Sequence, residues 1–88
     1  MLLAEVVGRV WNERELPALR GRRLLLVRDL DSGRAAVAVD LVEASAGNTV
    51  LVAEEEAASA VAGVPVDAAV VALVAGADVI PTPRATAT

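Results

Sequence analysis

The chain has no cysteine, no histidine, no phenylalanine and no tyrosine, and its eight cationic side chains are all arginine. Without cysteine there is no disulfide, no thiolate ligand and no thiol nucleophile; without histidine there is no imidazole ligand or base. With lysine missing as well, the hydroxyls of Ser32, Ser45, Ser59 and Thr49 have no basic partner to activate them. General acid–base chemistry near neutral pH is left to carboxylates. No Gly-rich phosphate cradle of the GxGxxG or GxxxxGK kind is present. Long hydrophobic runs are missing too. The longest uncharged apolar stretch, residues 68–77, lies between Asp67 and Asp78 and is about half the roughly 20 residues a membrane-spanning helix needs. The opening Met1-Leu2-Leu3-Ala4-Glu5 has no basic n-region, and Glu5 and Arg9 interrupt any apolar core of an export signal. The expectation is a soluble, cytoplasmic protein with no membrane partner and no cofactor.

What the chain does contain is small apolar side chains. Of 88 residues, 56% are hydrophobic, almost all of them Ala, Val and Leu, with Trp11 the one aromatic. A domain of this size buries only about 60% of the surface its unfolded chain exposes. Disulfides and imidazole- or thiolate-bound metals are excluded, which leaves self-association as the remaining stabilising device, beside a small barrel that is stable by itself. Charge is unevenly spread. Residues 1–34 hold seven Arg against five acids, a balance of +2, whereas residues 35–88 hold one Arg against seven acids, a balance of −6. Solvated faces account for such a distribution; two halves meeting across a subunit contact account for it as well.

Alternation with period two marks residues 2–11 as a strand, with Leu2, Ala4, Val6, Gly8 and Val10 on one face. Gly8 within it predicts a bend or close backbone approach. Residues 12–21, polar and punctuated by Pro17 and Gly21, read as a loop, and residues 22–30 as a second strand. Asp31-Ser32-Gly33 has hairpin chemistry leading into a third strand at 35–41. A loop of small residues spans 42–49, and a short buried strand follows at 50–53. Glu54-Glu55-Glu56 opens a short helix to about Val61, its carboxylates suited to the positive end of the helix dipole. Gly63 and Pro65 stop the helix, and residues 66–77 form the last strand. Five short strands and one helix predict a mainly β fold: a small five-stranded OB-like barrel with one short helix. It occupies residues 1–80 as a single domain, with 81–88 as a flexible or extended C-terminal tail.

Few residues invite chemistry. The Glu54–Glu56 cluster is the densest carboxylate group, but consecutive helical residues do not converge on a metal ion. Asp40 and Asp67 adjoin apolar strand runs and suit strand-end or turn roles. A carboxylate–metal enzyme is thus an alternative without a converging site. The second alternative is an OB-like module for single-stranded nucleic acid. Such surfaces combine a positive groove with aromatic platforms; here Arg20, Arg22 and Arg23 form a basic patch with no aromatic interleaved, in a chain of net charge −4. Trp11 reads as a packing residue.

Four stretches in order carry a resemblance. Leu3-Ala4-Glu5-Val6-Val7-Gly8-Arg9-Val10 has the A-x-V-x-G-x-V pattern, and Leu19-x-Gly21 leads into Leu24-Leu25-Leu26-Val27. Ala36-Val37-Ala38-Val39-Asp40 precedes a small-residue loop and Val50-Leu51-Val52; Pro65-Val66-Asp67-Ala68-Ala69-Val70-Val71-Ala72-Leu73-Val74 closes the set. Over residues 2–75 the chain resembles the pentameric vertex proteins of bacterial microcompartment shells, the family of the ethanolamine-utilisation and carboxysome vertex subunits. Where that family carries Gly-Ala-Gly after the third strand, this chain has Glu43-Ala44-Ser45, with a glycine following at Gly47. The resemblance implies a non-enzymatic homopentamer that caps the vertices of a cytoplasmic polyhedral shell and meets hexameric shell proteins, with no nucleic acid and no cofactor. It singles out Asp40, Glu43, Ala44, Ser45 and Gly47 as a subunit-interface or pore loop. Arg22 and Arg23 are the candidate interface charges.

Overall fold

A computed structural model describes residues 1–78; the last residues of the expected domain, 79–80, and the expected tail, 81–88, lie outside them. Five strands, β1 (Leu2–Val10), β2 (Leu24–Asp29), β3 (Ala35–Asp40), β4 (Thr49–Glu54) and β5 (Ala68–Leu73), close into a barrel in the order β1-β2-β3-β5-β4. Helix α1 (Glu55–Ala62) connects β4 to β5. Neighbouring strands are antiparallel except β3 and β5, which run parallel and pair only at Val39↔Ala69 and Asp40↔Val70. The expected fold class holds: mainly β, five strands, one short helix.

The barrel interior is thin because the inward residues are small. Ala4, Val6, Leu25, Val27, Ala38, Val50, Val52 and Val70 form one buried cluster. On β3 the larger side chains turn outward, Val37 to solvent and Val39 beneath the helix, while Ala38 faces in. Helix α1 covers the outer side of β3, β4 and β5 through Ala58 and Ala62, one turn apart, against Val39, Ala53 and Ala69. With alanine on both surfaces, helix and sheet approach closely, and any added methylene meets backbone. The helix ends at Gly63, whose φ of +69° is the left-handed cap conformation and whose amide donates to the Ser59 carbonyl at 2.9 Å.

Three boundaries differ from the period-two reading. β1 carries a bulge between Val6 and Gly8. Val6 pairs with inward Val27, but Gly8 pairs with Leu26 and Val10 with Leu24, whose side chains point out of the barrel interior. The extra residue therefore moves Gly8 and Val10 off the face that Ala4 and Val6 share. β5 is half the length expected, because it is bounded by its partner: Ala68 pairs with Glu54, Leu73 with Val50, and the Val74 amide reaches Thr49 at the start of β4. Glu54 is the last residue of β4 and caps the helix rather than opening it. Loop 12–21 contains a single 3-10 turn, Pro17–Leu19.

Candidate assembly surfaces

Loop 41–48 closes one end of the barrel. Its anchor is Asp40, the last residue of β3, whose side chain is 1% exposed. The Val42 amide donates to Asp40 Oδ1 at 3.1 Å, and the Ala44 amide donates to Oδ2 at 3.0 Å. These bonds fold the chain back so that Ala44, fully buried, joins the interior cluster as a plug. Arg23, beginning the second strand's approach, sets its guanidinium 3.6 Å from Asp40 Oδ2, and its carbonyl accepts from the Asp40 amide at 2.8 Å. The loop is tied to β1 at the bulge: Gly47 donates to the Val6 carbonyl at 2.8 Å, and Val6 donates to the Asn48 carbonyl at 2.9 Å. Asn48 Oδ1 accepts from the Ser45 amide at 2.8 Å.

The loop residues singled out from sequence therefore divide by position. Asp40 and Ala44 are internal, one holding the loop and one filling the barrel, whereas Glu43, Ser45 and Gly47 are exposed along its outer surface. Glu43 sits at φ +57°, a left-handed conformation for a side chain with a Cβ. This is the position at which the resembled family carries the first glycine of Gly-Ala-Gly. Arg22 and Arg23 divide as well. Arg22 is exposed with no ion-pair partner among the described residues, whereas Arg23 is engaged by Asp40 of its own chain. Sequence reasoning assigned Asp40 a strand-end or turn role, which the geometry matches. It had no sign of the Arg23–Asp40 pair, because the two residues are brought together only by the β2–β3 register, Leu24 opposite Val39.

Trp11 does not pack into the fold. It is 76% exposed, and the Arg9 guanidinium lies 4.0 Å from its ring centroid. Two residues apart at the end of β1, they share a side, and the cation covers one aromatic face. At the hairpin between β2 and β3, the carboxylate of Asp29 accepts from the Asp31 amide at 2.9 Å and the Ser32 hydroxyl at 3.0 Å. The Asp31 bond first, and then the Ser32 bond, hold the Asp29 carboxyl below its ordinary range. Among the described residues no three acidic side chains converge as a metal site, and no helix is long and apolar enough to cross a membrane.

A barrel of this order, plugged by an Asp-anchored loop and flanked by one helix, invites comparison with known proteins. The family described as ethanolamine utilisation protein EutN/carboxysome matches residues 1–75. The chain belongs to this family. Its members among solved structures align over nearly the whole barrel. The GrpN pentameric microcompartment shell protein from Rhodospirillum rubrum is 30% identical, with 91% of this chain and 100% of that chain covered and a TM-score of 0.84. CcmL from Nostoc sp. PCC 7120 is 38% identical over 84% of this chain and 88% of that one, at a TM-score of 0.78. The ethanolamine utilization protein EutN from Escherichia coli is 32% identical over 84% and 85%, at 0.76. Curated protein sequences gave no match. The family resemblance read from residues 2–75 thus holds, and it spans the barrel, the plug loop and the helix together.

Proposed function

We propose that this chain is a structural subunit that assembles as a homopentamer, caps a vertex of a polyhedral microcompartment shell, and contacts hexameric shell proteins around it. The observation that carries this reading is the match along the full length of a pentameric shell protein, plug loop included, at a TM-score of 0.84. Composition agrees. A chain with no His, Cys or Lys has little to catalyse with, and among the described residues seven large apolar side chains remain exposed on the single subunit, Leu16, Val61 and Leu73 among them. Such surface favours a partner.

A five-fold ring uses one patch against a different patch, closed by rotation. Exposed Arg22 on the basic half and the acidic first turn of α1, Glu55 and Glu56, are complementary in sign. Charges placed this way set register and orientation more than affinity. Glu43, Ser45 and Gly47 present the outer surface of the plug loop to a neighbour or to the ring axis. Asp40, Ala44 and Arg23 shape that surface from within. The nucleic-acid alternative has less to stand on: the one aromatic already has a cation on one face, and the net charge is −4.

Native mass spectrometry tests the assembly. Five copies of a 9.0 kDa chain give a particle of about 45 kDa; a stable monomer or dimer at micromolar concentration refutes the reading. Arg22→Glu is the interface variant to pair with it, because Arg23→Glu also removes the partner of Asp40. Closed particles on co-expression with hexamer-forming shell proteins support the vertex role, and facets left open or unaltered by this chain count against it.

A further inference from the structure

Strand β1 has an aromatic–cation pair at one end and an acidic, apolar trough at the other. Val10 lies opposite Leu24, and Leu24 opposite Val39, the residue before the plug anchor Asp40, so Trp11 stands at the plugged end. It is 76% exposed, with the Arg9 guanidinium 4.0 Å from its ring centroid. A guanidinium stacked on an aromatic face keeps the N–H donors at its edge free for a carboxylate. At the start of β1, Leu2 and Leu3 line a trough of about 470 Å³ together with Asp29, Leu30 and Asp31 of the β2–β3 hairpin. The Leu30 amide donates to the Leu3 carbonyl at 3.1 Å, which sets the hairpin against the strand. Leu30 is 54% exposed, and Asp31 beside it is exposed as well.

We propose that the Arg9–Trp11 pair of one subunit seats in the trough of the next, the indole on Leu2, Leu3 and Leu30 and the guanidinium on Asp31. The inference rests on the ring reading above and names a contact within it. Three observations choose a second copy as the occupant. First, the two patches match in kind: indole meets leucine side chains, and cation meets carboxylates. Trp and Arg are the residue types that most often dominate binding when they fill a pocket at an interface. Second, Leu2 and Trp11 are nine residues apart along one strand, up to about 30 Å at the rise of an extended chain. The strand holds the two patches apart within a subunit, so the match is met only between copies. A contact of one patch with a different patch runs head to tail, the kind that closes a ring. Third, charge elsewhere divides between the same two ends. Arg22 lies just before β2 at the plugged end, whereas Glu55 and Glu56 follow β4 at the end where Val52 lies opposite Leu2. Docking in this direction brings opposite signs to one subunit boundary.

Trp11 is the one aromatic of the chain, so its fluorescence reports on this contact directly. Native mass spectrometry over a dilution series gives the concentration at which the wild-type ring dissociates, and acrylamide quenching is measured above and below it. The expected result is a blue-shifted emission and several-fold weaker quenching in the ring. Trp11→Ala raises the dissociation concentration by about tenfold or more, the factor that 1.4 kcal/mol corresponds to. Arg9→Glu and Asp31→Arg each raise it by about threefold or more, in the range of an exposed charge pair. The double variant Arg9→Glu/Asp31→Arg rebuilds the pair with its signs exchanged and returns the ring closer to wild type than either single change. A ring in which Trp11 stays as accessible to acrylamide as in the dissociated chain overturns this inference and leaves the assembly standing. No wild-type ring at any concentration overturns both. A double variant no stronger than the weaker single variant overturns the pairing of Arg9 with Asp31. Shielding of Trp11 that comes only with added hexamer-forming shell proteins assigns the pair to another partner and overturns the choice of occupant.

Discussion

Replacing Asp40 with alanine tests how the barrel end is closed. The carboxylate accepts from two loop amides, Val42 and Ala44, and balances the guanidinium of Arg23, all with its side chain 1% exposed. Hydrogen bonds to a charged group contribute about 1.5–3 kcal/mol each. The loop amides regain some water when the anchor is lost, and the Arg23 side chain is about a third exposed. The expected loss is thus below the simple sum, about 2–4 kcal/mol, which is a large part of the roughly 5–15 kcal/mol of a typical domain. Asp40→Asn keeps one acceptor but loses the charge, so about 1–2 kcal/mol is expected. The assay is urea unfolding followed by far-ultraviolet circular dichroism, at one protein concentration for all variants because assembly adds to apparent stability. Hydrogen exchange of the Val42 and Ala44 amides gives the local readout. A loss below about 0.5 kcal/mol for Asp40→Ala, the range of ordinary surface changes, with both amides still protected, refutes the anchoring role.

Four further outcomes follow from local geometry. Glu43, held at φ +57°, gains from Glu43→Gly: relief of about 1–2 kcal/mol of left-handed strain outweighs the added freedom of the unfolded chain, for a net increase of roughly 0.5–1 kcal/mol by urea midpoint. Gly47→Ala, at φ +91° with open space around it, shifts the midpoint the other way. Ala58→Leu, forced between α1 and the sheet beside Val39 and Ala69, costs about 1–3 kcal/mol, while Ala57→Leu on the exposed side stays within about 0.5 kcal/mol by the same assay. Asp29 has its carboxyl held below its ordinary 3.8, so its bonds to Asp31 and Ser32 stabilise the fold above that pH and are lost as pH falls through the lower folded value. The stability difference between wild type and Asp29→Asn therefore shrinks to nothing in acid, and a difference that grows on acidification contradicts it.

Strand identity was legible in the sequence wherever one face is buried. Alternation marked β1 to β3, turn chemistry at Asp31-Ser32-Gly33 marked the hairpin, and Gly63 marked the end of the helix. These features act within a few residues, so the local pattern carries them. Missing His, Cys and Lys excluded most chemistry in the same local way. The sequence also showed Gly8 as irregular, but not that the bulge moves it and Val10 to the outer face, since a bulge is defined by the partner strand. The length of β5 was likewise set by β4. Trp11 was read as a packing residue because large aromatics are usually buried, yet it lies just past the end of β1, exposed beneath Arg9. Arg23 and Asp40, seventeen positions apart, become an ion pair only once Leu24 lies opposite Val39. What the sequence alone determined was a small β-barrel with little catalytic capacity and a surplus of apolar surface. Which end of that barrel is plugged was decided by tertiary pairing, because the loop after Asp40 is held by Arg23 and by the bulge of β1, and both reach it only through the strand register.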